Sequence, residues 1–326
     1  MHNVEGIMRC EAMQDIPGKS IDRARVTLLM LLSISMVSSA SVLIKMSASD
    51  ALVITFWRTL YGAIMMASIG AAKGDLSEFR GPVLRKNWVW LVLIGFILSL
   101  HFSTWFTSLK LTTIAASVML VHTAPITTAI LSTVILGESL RRRSWVGILI
   151  AVMGAIFLTW NSLVVEGSGV FLGNTLALLS SVFLAIYFIG GRKYAKGLPN
   201  SVYTSVVYSS AALVTFIFCA ILGINILVLD PFEIAIFLAL AIFPTVLGHS
   251  VNNYLLTLVP AYIVSAAVLG EPIGATILGY FVLGEQPPAM TLVAFAIILF
   301  GVMLVVSGMA QRERNSVLSL DDTNGT

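Results

Sequence analysis

The chain has 326 residues, of which 58% are apolar and 11% charged, with a mean hydropathy of +0.96. That leaves too little polar surface to cover a soluble globule, and the apolar stretches that recur from about residue 26 to about residue 308 leave no room for a separate soluble domain. The net charge of +3 lies in short loops and not in one basic patch, which argues against nucleic acid as a target, and Cys10 and Cys219 supply neither a disulfide framework nor a metal cluster.

Residues 1–25 are polar and lack the apolar run and small-residue cleavage site of a signal peptide, so they read as a cytoplasmic N-terminal tail. Requiring roughly 20 apolar residues per span predicts helices over 26–45, 51–72, 88–108, 113–136, 144–161, 170–191, 203–223, 233–256, 260–283 and 289–308. Turn chemistry or charge separates them, as at Lys73-Gly74-Asp75, Gly137-Glu138, Asp230-Pro231 and Gln286-Pro287-Pro288, and Pro260 alone divides the eighth from the ninth. The tail 309–326 is polar from Arg312 onward and is expected to be disordered.

Charge orients this all-α, polytopic chain. With the N-terminus inside, the cytoplasmic side receives the N-terminal tail, 73–86, 141–143, 192–196 and Arg312 with Arg314, which together hold sixteen of the 19 lysines and arginines. Lys45 and Lys110 fall outside, and Arg58 lies within a span. Ten transmembrane helices with both termini cytoplasmic fit that bias, as expected of a multi-pass protein of the plasma or inner membrane.

The chain also repeats. A shift of 147 residues lays Val121 on Val268, Pro125-Ile126 on Pro272-Ile273, Ile130-Leu131 on Ile277-Leu278 and Leu136-Gly137-Glu138 on Leu283-Gly284-Glu285. Chance in so biased a composition gives about two identities over such a window, so 26–161 and 170–308 read as two five-helix copies. Five is odd, so the second copy enters the membrane from the opposite face, which makes the repeat inverted, an architecture used by secondary carriers.

Ionisable groups inside a membrane are costly, and each is a candidate for function. Glu271, near the middle of the ninth span, is the coupling candidate: a carboxyl at that depth can trade a proton, or can serve structurally by bonding backbone freed by Pro272. Arg58, beside Trp57 and one turn before Tyr61, either attracts an anionic solute or snorkels to the outer interface. His101 and Trp105 share one face of the third span, as His249 shares one with Asn252, Asn253 and Tyr254 in the eighth. Together with His122 these side chains can line a central substrate cavity between the copies. Pro125, Pro244 and Pro272 are expected to kink their helices, whereas Lys45, Glu138 and Glu285 read as interfacial groups at helix ends. Small residues at Gly147 and Gly154 and at Ala294 and Gly301 can pack a homodimer or the partner helix of the same copy, so monomer and homodimer both stay open. No HExxH, Walker A or nucleophile-elbow pattern occurs, and no cofactor or metal is expected.

The two Pro…Leu-Gly-Glu blocks, each followed by a small-residue stripe, resemble the ten-helix EamA-type transporters of the drug/metabolite transporter superfamily over nearly the whole chain. The segment Pro244 to His249, Asn252-Asn253 and Leu269 to Gly274 resembles one prokaryotic subgroup. The first copy departs by carrying Ala124 where the second has Glu271, so any coupling by that glutamate is one-sided. The resemblance implies a non-enzymatic carrier of a small organic metabolite, amino acid-like, nucleoside-like or drug-like, often an exporter, working by alternating access amid membrane lipid. A facilitator, exchanger or importer of the same solute class is the alternative. A lipid scramblase or membrane enzyme is a more distant one.

Overall fold

A computed structural model describes residues 23–136, 141–161, 167–258 and 268–324. Among them the chain is helical throughout, and nine helices are long and apolar enough to cross a membrane, with Glu271–Leu283 a shorter apolar helix. In chain order these are α1 (Arg23–Met46), α2 (Ala51–Lys73), a 3-10 turn (Asp75–Arg80), α3 (Pro82–Leu111), α4 (Ile114–Val121), α5 (Ala124–Leu136) and α6 (Arg142–Asn161). The second copy follows with α7 (Ser168–Tyr194), α8 (Asn200–Leu222), α9 (Pro231–Leu240), a π-helical segment (Ala241–His249), α10 (Ser250–Leu258), α11 (Glu271–Leu283) and α12 (Ala289–Asn324). Pro260 and Glu138 lie outside the described residues.

Helix ends follow local chemistry. Asp50 caps α2 by accepting from Leu52 N at 2.7 Å, Thr113 caps α4, and Asp230 caps α9 with Pro231 as its first residue. Two helices outrun their hydropathy. α3 begins at Pro82, whose missing N–H costs nothing at a helix start, and α12 continues to Asn324 through the tail expected to be disordered. Hydropathy marks where the apolar layer ends, whereas a helix continues until Gly, Pro or a cap stops it, and Gln311-Arg312-Glu313-Arg314 supplies none.

The packing has the two-fold pattern that a duplicated five-span unit requires. α3 packs on α7 as the π segment packs on α1, and α4 and α5 pack on α7 as α11 packs on α1. The self-matched pairs are α2 with α8, α6 with α12 and α4 with α11. The α6–α12 seam takes the small-residue stripes that sequence assigned to a dimer or to the same copy. A Cβ on Gly147 would lie 2.6 Å from the Gly301 carbonyl oxygen, and one on Gly301 would lie 2.5 Å from Ala151 N, so these faces join opposite copies within one chain. The other side of α6 presents Trp145, Leu149, Met153, Ile156 and Trp160, all exposed at helical spacing, as a lipid-facing stripe.

Three spans are not simple helices. The fourth breaks at His122-Thr123 between α4 and α5, and the ninth turns at Leu269-Gly270 before α11 starts at Glu271. Pro125 and Pro272 therefore open helices instead of kinking them: each is the second residue of its helix, where proline's fixed φ suits the first turn. Pro244 does sit inside its helix, and there the backbone widens to π geometry, with Thr245 Oγ1 donating to the Leu240 carbonyl five residues back at 2.8 Å.

Candidate functional site

The 147-residue repeat places the two broken spans against each other, and it is at the breaks that they share chemistry. His122 ends α4 with its Nδ1 donating to the Val118 carbonyl at 2.8 Å, which leaves Nε2 pointing out of the break. Glu271, first residue of α11 in the other copy, brings Oε2 to 3.1 Å from that Nε2. Both side chains are buried. Because Nδ1 already carries a hydrogen, one further proton lies between Nε2 and Oε2. With it the pair is neutral overall, and without it the pair is a buried anion.

Arg58 faces the same region from α2. It does not snorkel: its side chain is 0% exposed, Nε donates to Thr245 Oγ1 at 2.8 Å, and the guanidinium lies 4.2 Å from the centre of the Phe102 ring and 5.3 Å from that of Phe106. Its two terminal nitrogens, Nη1 and Nη2, are buried with no hydrogen-bond partner among the described residues. Each local element is shaped for this. Gly62, one turn on from Arg58, lets α2 approach Thr245, whose methyl would be 3.0 Å from an added Cβ, and the π turn around Pro244 carries the Thr245 hydroxyl to the guanidinium.

Three more groups complete the cluster. His101 on α3 shares Nδ1–H between the carbonyl and hydroxyl oxygens of Ser180, at 3.0 and 2.7 Å, and Ser180 donates back to the His101 carbonyl, a lock between α3 and α7. The His101 ring stacks on Trp105, whose indole Nε1 is buried without a partner among the described residues. His249, on the π segment, meets the edge of Phe102 at 5.7 Å. His249 lies within the electrostatic reach of Arg58, His101 and His122, His101 within that of Arg58 and His122, and Arg58 within that of Glu271 and of Tyr208 on α8.

Other sequence candidates stand apart. Trp57 turns away from Arg58, donating Nε1 to the Ile226 carbonyl at 2.9 Å and stacking on Phe237 and Tyr61. Asn252 accepts from Ser33 at 2.6 Å and Asn253 donates to Tyr187 at 3.2 Å, so both tie α10 to neighbouring helices, and Tyr254 follows them on that helix, half-buried. Thr245, Phe102 and Phe106 escaped the sequence reading. Phe102 and Phe106 are four apart on the His101 helix, a spacing that signals one shared face, but nothing in composition marks that face as a platform for Arg58.

A second polar group lies at the end where α1, α4 and α11 meet. Glu285 Oε1 accepts from Ile114 N at 2.7 Å, capping α4, and pairs with Lys45 Nζ at 3.3 Å. Nearby, Glu233 accepts from Ser49 Oγ at 2.7 Å and from Ala48 N at 2.6 Å, and Lys110 donates to the Ser47 carbonyl. A shallow surface dent between Ile114, Thr276, Gly279 and Glu285 belongs to this end and not to the buried cluster.

Ten apolar segments in two copies, with broken helices meeting around buried ionisable groups, form the architecture of a membrane transporter. Comparison with known proteins gives the family. The EamA-like transporter family matches the chain twice, over residues 24–160 and 171–307, and the chain belongs to it. The uncharacterized transporter YwfM of Bacillus subtilis (strain 168) is 25% identical over 236 residues, 71% of this chain and 78% of that protein. A solved crystal structure that is 22% identical matches with a TM-score of 0.61 over 87% of this chain and 97% of its own, and so shares the fold.

Proposed function

We propose that this chain is a secondary carrier of a small organic solute, working by alternating access between its two inverted copies, with Glu271 and His122 as the proton-coupling pair. The observation that carries the reading is the 3.1 Å contact between His122 and Glu271. It joins the breaks of two discontinuous spans from opposite copies, so any rocking of one copy against the other opens or remakes it. Among the described residues, the charged and titratable groups facing the pair are Arg58 from α2, His101 from α3 and His249 from the π segment, with Tyr208 from α8 facing Arg58. A pair that is neutral with one proton and anionic without it is a coupling element, because the anion is stable only beside a cation such as Arg58. On this reading the carrier sits in the cell membrane with both termini cytoplasmic, and a solute made inside drives it outward.

Purified protein in liposomes under an imposed pH gradient tests the coupling. Glu271→Gln is expected to abolish uphill solute transport and to spare solute exchange. Uphill transport unchanged in Glu271→Gln would remove coupling through this residue. The polar cluster faces inward and, beyond Arg142 and Arg143 at its start, the exposed side chains of α6 are apolar, which favours a carrier over the lipid-active reading, where polar groups face the hydrocarbon.

A further inference from the structure

Resting on the carrier reading, we infer that the solute carries a single carboxylate and that Arg58 binds it through Nη1 and Nη2. An arginine buried this deeply normally has every donor engaged, because an unpaired ionic group in a low-dielectric interior costs several kcal/mol. Here Nε donates to Thr245 and the guanidinium carbon lies over the rings of Phe102 and Phe106, while the end-on fork of Nη1 and Nη2 is buried with no hydrogen-bond partner among the described residues. That fork matches the two oxygens of a carboxylate.

Charge selects within the anions. The neighbouring acid, Glu271, turns Oε2 to His122 and makes no direct bond to Arg58, whose Nε is held by Thr245 and whose Nη1 and Nη2 have no partner among the described residues. One guanidinium beside a carboxyl group balances a monoanion and leaves a dianion such as phosphate in excess negative charge. The body of the solute meets aromatic surface, since Trp105, stacked with His101 and packed on Phe106, holds a buried indole N–H with no partner among the described residues. An apolar, flat body with one carboxylate fits these walls.

A linkage follows. With a carboxylate on Arg58, the guanidinium no longer balances an unprotonated His122–Glu271 pair, so carboxylate and proton bind with positive cooperativity and move together. Binding is then tighter as pH falls, for as long as the solute itself stays ionised.

The test uses full-length protein in detergent, with benzoate, phenylacetate and 3-phenylpropionate as probes and the matching amides as controls, read by tryptophan fluorescence and by shift of the melting temperature. Each acid is expected to bind at least tenfold tighter than its amide, and Arg58→Met and Arg58→Lys to lose that preference. Arg58→Met is also expected to melt no lower than wild type, because it removes an unsatisfied charge, whereas an arginine serving as a structural post would lower the melting point on removal. Glu271→Gln is expected to keep acid binding and lose its pH dependence. Amides binding as well as acids, acid binding intact in Arg58→Met, or no binding by any of the three acids each overturns the assignment. Failure of the carrier reading looks different: no solute of any charge crosses the liposome membrane, whatever binds at Arg58.

Discussion

The two broken spans carry the same backbone device and opposite chemistry. In the fourth, the break reads Val121-His122-Thr123-Ala124-Pro125; in the ninth it reads Val268-Leu269-Gly270-Glu271-Pro272. In both, proline is the second residue of the helix that follows, so duplication has preserved where the chain turns. The first break has kept a base where the second has leucine, and the second has an acid where the first has alanine. Neither break could form an ion pair with a copy of itself, because two first breaks would set histidine against alanine and two second breaks would set glutamate against leucine. What the difference teaches is that an internal two-fold fixes positions, and divergence at single positions within it can create a contact that exists only across the interface of the copies.

The comparison is broken most severely by making the first break like the second at its titratable position. His122→Leu leaves Glu271 buried with no partner at Oε2, so uphill transport is expected to fall at least a hundredfold, with stability down by about 3 kcal/mol, the scale of an uncompensated buried charge. Wild-type uphill flux in liposomes with this variant would show that the pair has no part in coupling. Glu271→Ala makes the second break like the first and is milder. It leaves a neutral imidazole short of one hydrogen bond, at about 1–2 kcal/mol, while uphill transport is lost and exchange persists. A denaturant or thermal series ranks the two; equal destabilisation would mean that the acid is not held by His122.

Which parts of this were legible beforehand follows from what hydropathy and periodicity encode. Span count and the repeat were readable because burial in lipid forces long apolar runs, and because Pro and Gly-Glu recur at one spacing. Glu271, His122 and Arg58 could be singled out because ionisable groups are rare in apolar segments, yet their pairing could not. It depends on a turn of two residues in each of two spans, and a proline at a helix start and one at a kink look the same in a string of apolar letters. The same holds for Trp57 and Arg58, adjacent in sequence but about 100° apart around a helix, so that one meets the 224–228 loop and the other meets Thr245. The π turn at Pro244 had no signal of its own, since an extra residue per turn leaves hydropathy unchanged.

The smallest expected effect sharpens the comparison at the far end of the second block. Gly284 has φ +66°, and its left-handed turn lets Glu285 N donate to the Gly279 carbonyl at 3.1 Å while the Glu285 side chain swings back to cap α4 and pair with Lys45. The Leu-Gly-Glu motif thus has a physical reading as a helix stop that aims a carboxylate at the start of another helix. Gly284→Ala forces a Cβ into that conformation and is expected to cost about 1 kcal/mol. Glu285→Gln keeps an acceptor for Ile114 N and loses only a partly exposed ion pair, so it is expected to cost under about 1 kcal/mol and to leave carboxylate binding at Arg58 unchanged. If Glu285→Gln instead costs more than Gly284→Ala in the melting series, the ion pair and not the turn holds α1, α4 and α11 together at this end. The second block would then differ from its chemistry-bearing break in degree only, both depending on a charge pair made between the copies.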